Sequence, residues 1–255
     1  MTWRIGIDVG GTFTDVAMVD ESTGAIEIAK VPTTPHHVEQ GVMNGVTVGL
    51  EGEKIDPTNV SLLSHATTVV TNALLEQRGA RAGFVTTRGF RDMLEIRRGS
   101  RSDLYDLFQD GPAVLIPRRW RYELTERVDA QGEIVTPLAE DEVPALVEAI
   151  RIAKLDTVAV CFLFSFLNDT HEQRAGELLR DSLPEVKVYL SCEILPEIRE
   201  FERASTTAVC AYVGPILENY LHQLQNTTTE LGLPPLHVMG SSGGVVDVPE
   251  SLRMP

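Results

Sequence analysis

The sequence predicts an α/β protein, and three observations carry that expectation. Short apolar runs alternate with amphipathic helical stretches along the whole length. The chain opens as a strand, a Gly10-Gly11 turn and a second strand, and Val158–Phe166 is an apolar run of strand length. No apolar run is long enough to cross a bilayer.

Taken in order, Arg4–Val9, Thr12–Val19 and Ala25–Lys30 alternate as strands, joined by the glycine turn and by Glu21–Gly24. Val38, Val42, Val46 and Leu50 form one stripe of a helix over about His36–Leu50. Gly41, Gly45 and Gly49 recur on the same helix; glycine is a poor helix former, so this face is expected to lie very close to the sheet. Leu62–Ser64 reads as a short strand leading to a helix capped by Ser64 or Thr67 and ended by Gly79. Arg81–Thr86 is a strand, and Arg88 to about Pro117 a polar loop with a short helix. Arg121–Val128 and Glu133–Thr136 flank Asp129–Gly132 as a hairpin. Glu140–Ala153 is an amphipathic helix and Thr157–Phe166 a buried strand. Asp169 and Glu172 have the spacing of a capping box for a helix to about Leu183. Val186–Ser191 is a strand. The helical pattern of Pro196–Gln225 should break or kink at Gly214-Pro215. His237–Met239 leads into Gly240-Ser241-Ser242-Gly243-Gly244, and the chain reads as the front part of something longer.

Composition narrows the function classes. With 255 residues, 43% hydrophobic and 23% charged, the chain can bury a core and form more than one lobe. A formal charge of −15 argues against nucleic acid as a general partner. No basic-then-apolar leader is visible, and Cys161, Cys192 and Cys210 share no metal-ligand spacing. Cys161 and Cys210 fall in apolar patterns and read as core thiols, so a reduced, cytoplasmic protein is expected. His36-His37 lacks a third ligand in view and reads as surface. Between Arg78 and Arg121 ten arginines meet five acids, which marks either a salt-bridged surface or a face for anions or an acidic partner.

The chemistry is concentrated in Asp8-Val9-Gly10-Gly11-Thr12-Phe13-Thr14-Asp15. Gly10 and Gly11 let the backbone approach an anion and offer it amides; Thr12 and Thr14 add hydroxyls. Asp8 is placed to hold magnesium through water, and Asp15 to brace the turn or sit behind the first layer. Neither a Walker-type loop nor a Rossmann glycine fingerprint is present. Instead the segment resembles the first phosphate motif of the actin-like ATPase superfamily. That implies an actin-like (ribonuclease H-like) lobe with an N-terminal β-hairpin phosphate motif, plus the start of a second domain.

Three further segments sharpen the resemblance: His65–Glu76; Thr86–Asp92 with Leu94–Arg97 and Leu104–Leu107; and Glu202–Thr207 with Ala211–Pro215. In this order they resemble the hydantoinase A/5-oxoprolinase family, with residues 1–184 as its N-terminal region and 185–255 as the start of its main domain. The resemblance implies ATP and magnesium as cofactors and a cyclic amide (hydantoin, 5-oxoproline or lactam) as substrate. It also implies a B-type partner subunit or domain, an oligomer, and catalysis that needs more than this chain. Related members act in ketone carboxylases, which is one alternative; a non-catalytic fragment docking on a larger subunit is another.

His65, following a strand and preceding a helix, is the candidate general acid or base, with a loop-anchoring histidine as the plain alternative. Thr67, Thr68 and Asn72 stand at that helix start as candidate binders of substrate or phosphate oxygens. Glu202 with Arg203, and Ser241, Ser242 and Gly243, are candidate cleft residues, against an exposed pair and an ordinary connector.

Overall fold

Ile5, Ile7 and Val9 alternate with Gly6 and Asp8 along β1 (Trp3–Val9), so one face of the strand is apolar and the other is not. β1 pairs antiparallel with β2 (Phe13–Asp20), and β3 (Ile26–Pro32) lies outside β2. The apolar face is covered by α1 (Val38–Glu53), whose Val42, Met43, Val46 and Leu50 are buried with Ile5 and Ile7. The expected close approach is real. A Cβ at Gly45 would lie 2.9 Å from Val16 Cγ2, and one at Gly49 would lie 2.8 Å from Met18 Cε. β4 (Val60–Thr67) is longer than expected and runs parallel to β1, and α2 (Val69–Leu75) follows.

The second stretch of chain begins with β5 (Ala82–Thr87), α3 (Met93–Ile96) and β6 (Arg121–Leu124). It continues through β7 (Arg127–Val128), β8 (Ile134–Thr136), α4 (Val143–Ala153), β9 (Thr157–Cys161), α5 (Thr170–Ser182), β10 (Lys187–Leu190) and α6 (Ser191–Ile194). α7 (Glu200–Glu230), β11 (Leu236–Met239), β12 (Val245–Asp247) and α8 (Val248–Arg253) complete it. This computed structural model describes residues 2–10, 12–34, 38–99, 103, 105, 106, 108, 113–240 and 243–253.

Two compact units result: residues 1–76 with 216–255, and residues 77–215. The first holds a sheet in the order β12-β11-β4-β1-β2-β3, the second a sheet in the order β10-β9-β5-β6 with every neighbour parallel. β5 and β9 are buried along their whole length, as central strands of a parallel sheet must be.

Several elements differ from the sequence expectation, each for a local reason. Arg121–Val128 is not one strand: β6 joins the parallel sheet, and β7 turns away after Thr125–Glu126 to pair with β8. β9 stops at Cys161 because the Phe162 N–H is taken by Glu172 Oε2 at 2.7 Å and its carbonyl by Arg203. The capping box does not form, since Glu172 turns inward and Asp169 makes no side-chain cap. α2 ends at Leu75, before Gly79, with Gln77 in the left-handed region at φ 54°. α7 runs through Pro215 unbroken. Proline leaves the carbonyl four residues back without its helical donor. Thr157 Oγ1 donates to that Ala211 oxygen at 2.8 Å, and Ala80 N to the neighbouring Tyr212 oxygen at 2.8 Å.

Candidate functional site

In the first unit three parallel strands end side by side. The register sets Val9 against Thr67, and Val238 against His65, so the segments after β1, β4 and β11 emerge at one edge of the sheet. Carboxyl ends of parallel strands are where α/β folds place ligands. The edge therefore gathers the Gly10 turn, Thr67-Thr68 and the Gly240–Gly244 turn.

The glycine turn is built differently from the expectation. Gly10 N donates to Phe13 O at 3.0 Å, so that amide is spent inside the turn rather than offered to a ligand. A Cβ at Gly10 would lie 3.1 Å from the same oxygen, which is why glycine suits the position. Thr14 is buried, its Oγ1 3.1 Å from Thr33 Oγ1, and so is not a phosphate donor as arranged. Thr33 was not singled out by its sequence context, yet it ties the turn together. Its hydroxyl donates to Gly10 O at 2.9 Å and its N–H to Thr12 O at 2.9 Å. Thr12 is exposed, and Gly11 lies outside the described residues.

Asp8 is exposed on the face away from α1, opposite Asp15 across the β1–β2 pair. Asp15 does not brace the turn but meets Lys30 Nζ at 2.9 Å. Beside them is a depression of about 470 Å³ lined by Gly6, Asp8, Asp15, Ala17, Ser64 and Ala66 among others. The small residues leave this face of the sheet open next to the turn.

His65 is not a cleft residue. It lies inside β4 on the core face, with no exposed surface, and its Nε2 is 2.7 Å from the Tyr220 hydroxyl. Nδ1 has no hydrogen-bond partner of good geometry among the described residues. Burial pushes the imidazole down to about 4, with the Ile7 backbone opposing the shift, so near pH 7 it is neutral. A folded value below the ordinary 6.5 means that stability is complete above that pH and drains away as pH falls toward 4. The expected loss is about 3 kcal/mol. Urea unfolding of wild type and His65→Leu at pH 7 and pH 4 checks this. The variant should lose less stability than wild type over that interval, and equal losses would refute the assignment.

Thr67 and Thr68 do reach the edge. Thr67 Oγ1 accepts from Val69 N at 3.2 Å, a local cap, while Thr68 Oγ1 makes only long contacts, 3.5 Å to Val9 O and 3.4 Å to Asn72 Nδ2. Asn72 is exposed. Gly243 and Gly244 both have positive φ, 87° and 85°, and close the turn with Gly240. Ser241 and Ser242 lie outside the described residues, as do His36 and His37.

The second unit separates Glu202 from Arg203. Glu202 pairs with Arg98, whereas Arg203 is buried, donates to Phe162 O and lies 5.2 Å from the Phe166 ring centroid. They do not form a pair facing a cleft. Four arginines of the arginine-rich segment have acid partners among the described residues: Arg98 meets Glu202, Arg88 meets Glu142 at 2.6 Å, Arg118 meets Asp92 at 2.8 Å and Arg121 meets Glu95 at 3.0 Å. Burial pushes the Cys161 and Cys210 thiols up to about 11, which fits core packing rather than nucleophilic chemistry. Among the described residues no group of three or more His, Cys, Asp or Glu could hold a metal, and no helix is long and apolar enough to cross a membrane.

Residues 4–183 match the family described as the hydantoinase/oxoprolinase N-terminal region. An uncharacterised protein of Methanocaldococcus jannaschii is 40% identical over the whole chain, which spans 38% of that protein. Caprolactamase subunit alpha of Pseudomonas jessenii is 35% identical over 95% of the chain and 36% of its own length. The crystal structure of ATP-dependent caprolactamase from that organism superposes with a TM-score of 0.87, again covering 95% of this chain and 36% of that one. The acetophenone carboxylase gamma subunit of Aromatoleum aromaticum is 32% identical over 96% of the chain and 36% of its length. The chain thus spans little more than a third of these relatives.

Proposed function

This chain belongs to the hydantoinase/oxoprolinase family, and from that premise we propose that it forms the phosphate-gripping part of an ATP-dependent enzyme that opens a cyclic amide. The observation that carries the reading is the single edge where the Gly10 turn, Thr67-Thr68 and the Gly240–Gly244 turn emerge, with Asp8 exposed beside it.

The residues present fit a magnesium nucleotide. Magnesium is usually held by one or two carboxylates, several waters and the phosphates themselves, so Asp8 alone is a sufficient protein ligand. Bound ATP would supply a phosphoryl group to the amide oxygen, which would make the carbonyl carbon electrophilic enough for water to add and the ring C–N bond to break with the nitrogen leaving as an amine. This chain's own task is to orient: Thr12 and Thr68 offer hydroxyls at the edge, Asn72 an amide, and the open sheet face beside Asp8 gives room. His65, buried and neutral, supports the edge from beneath through Tyr220.

A carboxylase reading draws support from the similarity to the acetophenone carboxylase gamma subunit. The two readings part on bicarbonate, which only a carboxylase consumes. Since two of the relatives, the caprolactamase and the acetophenone carboxylase chains, are subunits, a partner subunit of B type belongs to the proposal, as does a cytoplasmic location.

Calorimetry of this chain with Mg-ATP, alongside Asp8→Ala and Gly11→Val, tests the site. Weak binding is expected, reduced at least about tenfold by either substitution. Tight binding indifferent to both would overturn the assignment.

A further inference from the structure

Asp8, Asp15 and Lys30 form one row across β1, β2 and β3, since the register pairs Asp8 with Asp15 and Asp15 with Lys30. All three sit on the face turned away from α1, because side chains alternate between the two faces of a strand. Two carboxylates directly opposite on an antiparallel pair repel. The row lies immediately below the Gly10 turn, so its charge is felt by whatever anion the turn receives.

Lys30 is held there twice. Its Nζ is 2.9 Å from Asp15 Oδ1 and 3.2 Å from Oδ2, and 4.9 Å from the centroid of the Phe13 ring. Asp8 has no ion-pair partner among the described residues. An exposed pair of this kind contributes little to folding. Its larger effect is on the field: with Lys30 the row carries one net negative charge rather than two.

We propose that Lys30 is a positioning residue for the nucleotide. By engaging Asp15 it leaves Asp8 as the carboxylate free for the cation and removes the charge that would repel a polyphosphate. The inference rests on the Mg-ATP reading of this site. It predicts changes of opposite sign for two ligands, which a merely structural role would not produce.

In Lys30→Met, two unpaired carboxylates should bind Mn²⁺ alone at least about threefold more tightly, while Mg-ATP should bind about tenfold more weakly. Adding Asp15→Asn to that variant should bring Mg-ATP affinity back to within about twofold and abolish the gain in Mn²⁺. Lys30→Arg should behave like wild type toward both. Both ligands can be titrated by calorimetry, with Mn²⁺ also followed by water proton relaxation. Parallel losses for both ligands, or no change in either, would overturn the proposal. If wild type binds no Mg-ATP, the nucleotide reading falls, and the Mn²⁺ comparison alone still decides whether Lys30 masks Asp15.

Discussion

Glu172→Ala should lower folding stability by about 4 kcal/mol. The carboxylate is buried and accepts from Phe162 N and Cys192 N, both at 2.7 Å, and from Ser191 Oγ at 2.9 and 3.0 Å. Alanine would leave the buried Phe162 amide and the half-buried Cys192 amide without acceptors and open a void, and each orphaned buried group costs about 1–3 kcal/mol. Glu172→Gln keeps the volume, but its NH₂ would face a donor, so about half the loss should remain. Burial pushes the Glu172 carboxyl above its ordinary range, with the Phe162 and Cys192 amides opposing. A raised folded value means that its contribution is present below the unfolded value and is lost as pH rises through the folded one. His65 runs the other way, so the two residues tilt the pH profile in opposite directions. Urea unfolding at pH 7 measures both variants; a loss under about 1 kcal/mol for alanine would show that the network has another acceptor.

Gly79→Ala should cost about 3 kcal/mol despite the small change in volume. A Cβ there would lie 2.1 Å from Tyr212 Cε1 and 2.2 Å from Cδ1 and Cζ, in hard overlap with that edge of the ring. The ring cannot easily retreat, because Tyr212 is buried and the adjoining Ala80 N is bonded to the Tyr212 carbonyl at 2.8 Å. The coupling is the sharper test. In Tyr212→Ala the same substitution at Gly79 should cost under about 1 kcal/mol, since its obstacle is gone. Equal costs in both backgrounds would mean that Gly79 matters for its backbone instead.

The α/β class, the glycine hairpin and the close seat of α1 were legible because each is written in neighbouring residues. Two glycines between alternating strands, or glycines four apart on a helix, need no distant information. The errors arise where a distant partner decides. Leu62 and Leu63 are adjacent and both apolar, so the parity of β4 is ambiguous in sequence, and with it the face on which His65 falls. Glu172 has the spacing of a capping residue, but the donors that claim it come from Phe162, Ser191 and Cys192. Pro215 reads as a helix breaker until Thr157 is seen to satisfy the carbonyl it frees. At the candidate site, Asp8 and Thr12 are exposed, while Thr14 is turned inward by Thr33, a residue just past the end of β3. No local pattern announces Thr33, and only the three-stranded register brings it to the turn.

The order of strands in the first sheet has a consequence for how the molecule comes off the ribosome. Residues 77–215 form an uninterrupted unit and can close as soon as they have been made. The earlier-made strands β1–β4 cannot, because the place beside β4 belongs to β11, at residues 236–239. Until those residues emerge, β4 presents a bare backbone edge open to pairing with another nascent chain. Strands made before residues 77–215 thus wait for a strand made after them, and between translation of Thr67 and Met239 the β4 edge is a place for a chaperone to act.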